Sequence, residues 1–179
     1  MIKKMLFLLI LNLSFTATLQ ASKLEVQSAD PNTQIVILVR HAEKQADQEK
    51  DPSLTPTGRL RAIQLNETLR NIPLTALYAT PFKRTKETLK PTSESREMTI
   101  QVIDVKDGIS KHVSRGVENI RSEKGNVLVV GHSNTIPLLI KALGGPEIDG
   151  IAETDYENIY LLSLPTVGNV GLVQTKYGK

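Results

Sequence analysis

The chain has 179 residues, 40% of them hydrophobic, with a formal charge of +3, no cysteine and no tryptophan. That length supports one domain burying roughly 70% of its unfolded surface, and the missing cysteine removes a disulfide framework, a thiol nucleophile and thiolate metal ligands. The charge is small, the basic residues are scattered, and three Phe and four Tyr build no stacking platform, so no nucleic-acid partner is expected.

Lys3 and Lys4 followed by the apolar run Met5 to Phe15 have the charged start and short hydrophobic core of a secretory signal over residues 1–21. The run is shorter than the roughly 20 apolar residues a bilayer span needs. Cleavage after Ala21 would leave an exported, periplasmic or secreted protein of formal charge +1, because Lys3 and Lys4 are lost. An uncleaved segment would instead act as an N-terminal membrane anchor. No later stretch is long and apolar enough to cross a membrane, so no stable span is expected after signal removal. Residues 22–34 read as a polar lead-in, and residues 35–179 as one domain.

Ile35-Val36-Ile37-Leu38-Val39 is a continuous apolar, mostly β-branched run and reads as a strand buried on both faces. It ends abruptly in Arg40-His41. Lys44 to Ser53 is charged and reads as an exposed loop. Leu54-Thr55-Pro56-Thr57-Gly58 then opens a helix, with Thr55 or Thr57 as cap, an apolar stripe at Leu60, Ile63, Leu65 and Leu69, and Pro73 beyond its end. Leu74 to Ala79 is a second strand. Phe82 to Leu89 is a helix expected to end before Pro91, with Thr92 to Met98 as polar loop. Thr99 to Ile103 is a third strand, nearer an edge.

Ile109, Val113, Val117 and Ile120 give a helix over 109–123 one apolar face, and His112 falls outside that face. Val127-Leu128-Val129-Val130 is a second fully apolar strand, and it too ends at a histidine, in Gly131-His132-Ser133-Asn134-Thr135. A helix over Ile136 to Leu143 follows, closed by Gly144-Gly145-Pro146. Tyr156 to Leu164 and Leu172 to Tyr177 form a final antiparallel pair. This alternation predicts an α/β three-layer sandwich with a mostly parallel central sheet and helices on both faces. The two most hydrophobic strands should be central and adjacent, which would bring His41 and His132 together at the carboxyl end of the sheet, where ligands bind in open α/β folds.

Arg40, His41, Arg84 and His132 suit one phosphoryl group if they converge there. Arginine binds phosphate oxygens bidentately, and neighbouring cations hold an imidazole neutral and so nucleophilic. A second histidine can donate to a phosphoryl oxygen as charge moves in the transition state. No metal or other cofactor is then required.

Four motifs carry a resemblance: Val39-Arg40-His41-Ala42-Glu43; Leu54-Thr55-Pro56-Thr57-Gly58 with Arg61-Ala62; Tyr78-Ala79-Thr80-Pro81-Phe82-Lys83-Arg84-Thr85-Lys86-Glu87-Thr88; and Val130-Gly131-His132-Ser133-Asn134-Thr135. In order and spacing the chain resembles a small, exported member of branch 1 of the histidine phosphatase superfamily, the phosphoglycerate-mutase-like fold. The resemblance implies a phosphohistidine intermediate on His41, phosphate contacts from Arg40, Arg84 and His132, and then attack by water. It leaves the general acid open between Glu43 and Asp107. Asn134, Thr80 and Asp107 are the expected substrate-facing residues. Ala42 stands where glycine is commoner, and Thr80 where serine often precedes the second arginine.

Hydrolysis is expected over phosphoryl return to substrate, since mutases resemble longer chains. The expected partner is a small-molecule phosphate ester or a surface glycolipid phosphate. Three other readings are open: a phosphate-binding module of this fold without turnover, a phosphohistidine-protein phosphatase, and a metal hydrolase built on His41, His132 and acidic residues.

Overall fold

The computed structural model describes residues 32–46 and 50–178, so the expected signal segment and most of the lead-in lie outside the described residues. In chain order the elements are β1 (Gln34–Arg40), α1 (Pro56–Thr68), β2 (Ala76–Ala79), α2 (Lys83–Ser95), β3 (Ile100–Val102), α3 (Ile109–Ser122), β4 (Val127–Gly131), α4 (Ile136–Ala142), β5 (Asn158–Leu164) and β6 (Gly171–Lys176). The six strands form one sheet in the order β3-β2-β4-β1-β5-β6. β1, β2, β3 and β4 pair in parallel, while β5 runs antiparallel to β1 and β6 antiparallel to β5. The α/β sandwich expected from the alternation of elements is the fold observed, with an antiparallel hairpin at one edge of a mostly parallel sheet.

The two apolar runs became the paired central strands because both their faces are covered. Val36 and Leu38 point into a core with Ile120 of α3 and with Ile136 and Leu139 of α4. Ile37 and Val39 point the other way, against Leu65, Leu69 and Leu89 from the α1 and α2 side. Successive residues of a strand face opposite sides, so an uninterrupted hydrophobic run is what a doubly covered strand requires.

Several local expectations are corrected. α1 is capped by Thr55, whose side chain accepts from the amide of Gly58 at 3.0 Å, but its buried face is Gly58, Ala62 and Leu65, and Leu60 and Ile63 are exposed. The small residues permit close approach: a Cβ on Gly58 would stand 2.3 Å from the carbonyl oxygen of Glu43. α2 does not end before Pro91 but runs through it to Ser95. Leu89 and Thr92, one turn apart, are both buried, and Arg96 fastens the end of the helix to the carbonyls of Ile72 and Leu69. Packing on both sides of the proline offsets its helix penalty of about 3 kcal/mol.

α3 is rotated from its expected face, with His112, Gly116 and Ile120 buried, Val113 and Val117 partly buried, and Ile109 exposed. Gly116 lies against Leu139, where a Cβ would come within 2.7 Å, so the helix turns its glycine to α4 and carries His112 inward. His112 Nδ1 lies 3.2 Å from the carbonyl of Asp104. The expected exposed loop is pinned as well: Lys44 and Leu54 form an antiparallel bridge, and Pro52 and Leu54 are buried.

Candidate active site

Parallel pairing of β1 with β4 places Arg40 opposite Gly131, and the amide of His41 donates to the Gly131 carbonyl at 3.0 Å. The next residue on each chain is a histidine. Their ring centroids are 5.3 Å apart, nearly edge to face. They open into a cleft of about 490 Å³ whose walls include Phe82, Arg84, Asn134 and Glu153. Arg84 is delivered by the first turn of α2, the helix that follows β2, so strand ends and one helix start supply the site.

His41 Nδ1 lies 2.8 Å from the carbonyl of Ala42. A carbonyl only accepts, so Nδ1 carries the proton and Nε2 keeps its lone pair. Burial, with lesser contributions from the Arg40 and Arg84 charges, lowers the His41 pKa to about 4, against the Ala42 hydrogen bond and Glu153, which act in the opposite sense. At neutral pH the ring is therefore an uncharged nucleophile of fixed tautomer.

His132 is held from both sides. Its Nε2 lies 2.9 Å from the Thr80 hydroxyl, and Thr80 in turn contacts the Thr85 hydroxyl at 2.9 Å. Its Nδ1 lies 3.5 Å from the Arg84 guanidinium. Burial first, then the Arg84 charge and His41, lower its pKa to about 3. Thr80, expected to face substrate, is buried behind His132 and orients that ring. Asn134 does line the cleft.

Arg40 is clamped by the segment before β5. Its Nη1 donates to the carbonyls of Ala152 (2.7 Å) and Asp155 (3.4 Å), its Nη2 to Glu153 Oε2 at 2.6 Å, and its guanidinium carbon stands 4.3 Å from the centre of the Tyr156 ring. Glu153 is the acidic side chain among those lining the cleft, and sequence reasoning missed it. Its carboxylate also accepts from Ser133. That hydrogen bond first, and the Arg40 charge second, hold its pKa below the usual carboxylate range.

The two expected acids lie elsewhere. The Glu43 carboxylate is engaged by Arg61, with Nε donating to both oxygens at 2.9 and 3.0 Å and Nη2 at 2.8 Å, so it braces the nucleophile loop against α1. Asp107 is paired with Arg115 at the start of α3. A second unforeseen carboxylate is Asp51, which accepts from the amide of Lys83 at 2.9 Å and stands 3.6 Å from Arg84. It caps α2 from 32 residues away and steadies the arginine. Neither Asp51 nor Glu153 carries a local signature, since each reaches the site through a loop closing over the sheet end. Among the described residues, no three His, Cys, Asp or Glu side chains are grouped as a metal site.

A sequence model of the Histidine phosphatase superfamily (branch 1) matches residues 36–107. No curated protein matches the chain. Among solved structures, the fold is similar to the protein histidine phosphatase SixA complexed with tungstate, at 18% identity and a TM-score of 0.64 over 79% of this chain and 96% of that one. It is also similar to a putative alpha-ribazole-5'-P phosphatase from Escherichia coli K-12 (17% identity, TM-score 0.62, 80% and 96% of the two chains). A third is a mycobacterial glucosyl-3-phosphoglycerate phosphatase with inorganic phosphate (15%, TM-score 0.61, 81% and 97%). The segment matched by the family model holds most of β1, its Arg40-His41 end and the Arg84 helix, so the chain is similar to the histidine phosphatase superfamily, branch 1, over the elements that carry the first half of the site.

Proposed function

We propose that the chain is a metal-independent phosphomonoester hydrolase that carries the phosphoryl group on His41 Nε2. The observation that supports this most is the convergence of two guanidinium groups and two neutral imidazoles, with Arg40 Nε and Arg84 Nε both buried and without a hydrogen-bond partner among the described residues. Unpaired buried donors are costly, and a phosphoryl group between the arginines would satisfy both with charge-assisted bonds. The arginines supply the positive charge that a metal ion supplies in other phosphoryl-transfer sites.

In the first step His41 Nε2 attacks phosphorus and the bond to the leaving oxygen breaks. His132 Nε2–H donates to the Thr80 hydroxyl and its Nδ1 accepts from Arg84, so His132 holds that guanidinium towards the phosphoryl oxygens as charge shifts. An incoming phosphate dianion raises the pKa of the adjacent Glu153 carboxyl by like-charge repulsion, and the protonated acid gives its proton to the leaving alkoxide. In the second step Glu153, now a carboxylate, takes a proton from water, the water oxygen attacks phosphorus, and the N–P bond breaks. Inorganic phosphate and neutral His41 result. Proteins of similar fold whose names give phosphate esters or protein phosphohistidine as substrates lend the reading further support. A small or cell-surface phosphate ester is the substrate proposed, with export on the strength of the Lys3-Lys4 and Met5 to Phe15 pattern.

The test is release of inorganic phosphate from an aryl phosphate, a panel of sugar phosphates and a phosphohistidine peptide in excess EDTA, with wild type and His41→Ala. Turnover abolished by the substitution, together with a base-stable, acid-labile phosphoryl group on the wild-type protein, is expected. Turnover lost on chelation, or surviving in His41→Ala, would overturn the proposal.

A further inference from the structure

The catalytic cleft is walled on one side by apolar groups, Phe82, Val105 and Ile109. Ile109 is the first residue of α3 and is 47% exposed. It also lines a second, shallower cleft of about 390 Å³, with Val113 one turn further along α3 and Leu138 and Ala142 on α4. Leu138 is 43% exposed, and Thr135, one turn before it, lines the catalytic cleft. Both helices start at the carboxyl end of the sheet, where the two histidines sit. Their packed outer faces therefore form a mostly apolar trough that leaves the catalytic mouth at Ile109 and runs away from the reacting group, with Ser110, Ser114 and Lys141 also lining it.

Isolated exposed apolar residues are ordinary, but Ile109 and Leu138 flank one groove that joins the site. On the reading that the site hydrolyses phosphomonoesters, we infer that the trough between α3 and α4 is a leaving-group subsite, and that the favoured substrates are phosphomonoesters of alcohols carrying an extended apolar chain. Continuity through Ile109 decides the occupant. A group esterified to a phosphoryl bound by Arg40, Arg84 and His132 leaves that cradle along the Phe82, Val105 and Ile109 wall, and an apolar chain on it reaches the trough through Ile109, which lines both clefts. The polar side chains of the catalytic cleft, Lys44, Ser133 and Asn134, are not part of the Phe82, Val105 and Ile109 wall, so a sugar extending along that wall would leave hydroxyls unpaired, which is penalised.

Complete burial of one methylene multiplies affinity by about four. A trough covers one side of a chain, so the expected gain is roughly twofold per methylene. This contact is made equally in the ground and transition states, and it lowers KM while leaving kcat unchanged.

The experiment is kcat and KM of the full chain for n-alkyl phosphates from ethyl to octyl, below their micelle concentrations, beside an aryl phosphate. Wild type, Leu138→Glu and Leu60→Glu are compared, the last changing an exposed leucine on α1 away from the trough. In wild type and Leu60→Glu, KM falls by several tens of fold along the series; in Leu138→Glu the series is flat or reversed. Aryl phosphate turnover with no chain-length dependence in wild type would overturn the subsite and leave the phosphatase reading intact, whereas loss of all turnover would remove the phosphatase reading itself. A flat series in wild type, with Leu138→Glu changing the oligomeric state in solution, would assign the trough to contact between copies and also overturn the subsite.

Discussion

The amide of His41 donates to the carbonyl of Gly131 at 3.0 Å, so the residue after β1 and the residue after β4 meet at one point of the sheet. Everything at the site follows from that register. A shift of β1 by one residue would turn its alternating side chains to the opposite face and separate the two imidazoles.

The environment of the histidines fixes their titration. With burial and two arginines acting against the charged form, His41 should titrate near 4 and His132 near 3. Imidazole resonances followed by NMR from pH 3 to 8 should show both rings neutral at pH 6, where an exposed histidine is largely protonated. Arg84→Met removes a positive neighbour of both and should raise both midpoints. Glu153→Gln removes a negative neighbour of His41 and should lower its midpoint further.

The same shifts predict a stability trend. Each folded-state pKa lies below the unfolded value of about 6.5, so the unfolded chain binds more protons as pH falls from there towards about 4 for His41 and about 3 for His132. Stability is unaffected by these rings above that window and is lost as pH falls through it. Replacing His132 with Asn removes one such penalty. Urea unfolding at pH 4.5 and 7.5 should show the variant gaining about 2 kcal/mol on wild type at the lower pH relative to the higher; equal differences at both pH values would refute the assignment.

The carboxylates should separate by leaving group. Glu153→Gln is expected to lower kcat about 100-fold or more for alkyl phosphates, whose leaving oxygens need a proton, and far less for an activated aryl phosphate. Asp107→Asn, which loses only the pair with Arg115, should leave that ratio unchanged. If Asp107→Asn or Glu43→Gln alters the ratio and Glu153→Gln does not, Glu153 is not the acid.

Gly58→Ala tests the brace of the nucleophile loop. The added Cβ falls 2.3 Å from the Glu43 carbonyl oxygen, a backbone atom that can move only with the loop carrying His41. A loss of about 1–3 kcal/mol in stability is expected, with kcat reduced beside it, while Leu60→Ala on the exposed side of α1 should alter neither measurably.

Pro91→Ala should stabilise. Proline inside α2 lacks the amide that the helix would use and costs about 3 kcal/mol relative to alanine, offset by the about 0.4–1 kcal/mol it gains by restricting the unfolded chain. A net increase of about 2 kcal/mol or slightly more, read from denaturant midpoints, is expected.

The sequence by itself determined the layered α/β architecture, because doubly buried strands must be continuously apolar and Ile35–Val39 and Val127–Val130 are the longest such β-branched runs in the domain. It also determined that a histidine closely follows each of those apolar runs, and it placed Arg40, His41, Arg84 and His132 beside strand ends. What it carries less well is helix phase. Leu60 and Ile63 look like core, yet Gly58 and Ala62 face inward because the Glu43 backbone leaves no room for larger side chains. His112 looks exposed, yet the contact of Gly116 with Leu139 turns it inward. In each case a close contact from a distant part of the chain outweighs the local hydrophobic pattern.

Tertiary structure alone decided which carboxylates reach the site. Glu43, two residues from the nucleophile, is drawn to Arg61, and Asp107 to Arg115. Glu153, 112 residues beyond His41, and Asp51, 32 residues before Lys83, come to Arg40 and Arg84 through loops. Strand ends are set by short-range pattern and register, whereas a loop carboxylate is placed by which buried cation lacks a partner after the sheet has formed, and only the folded chain contains that information.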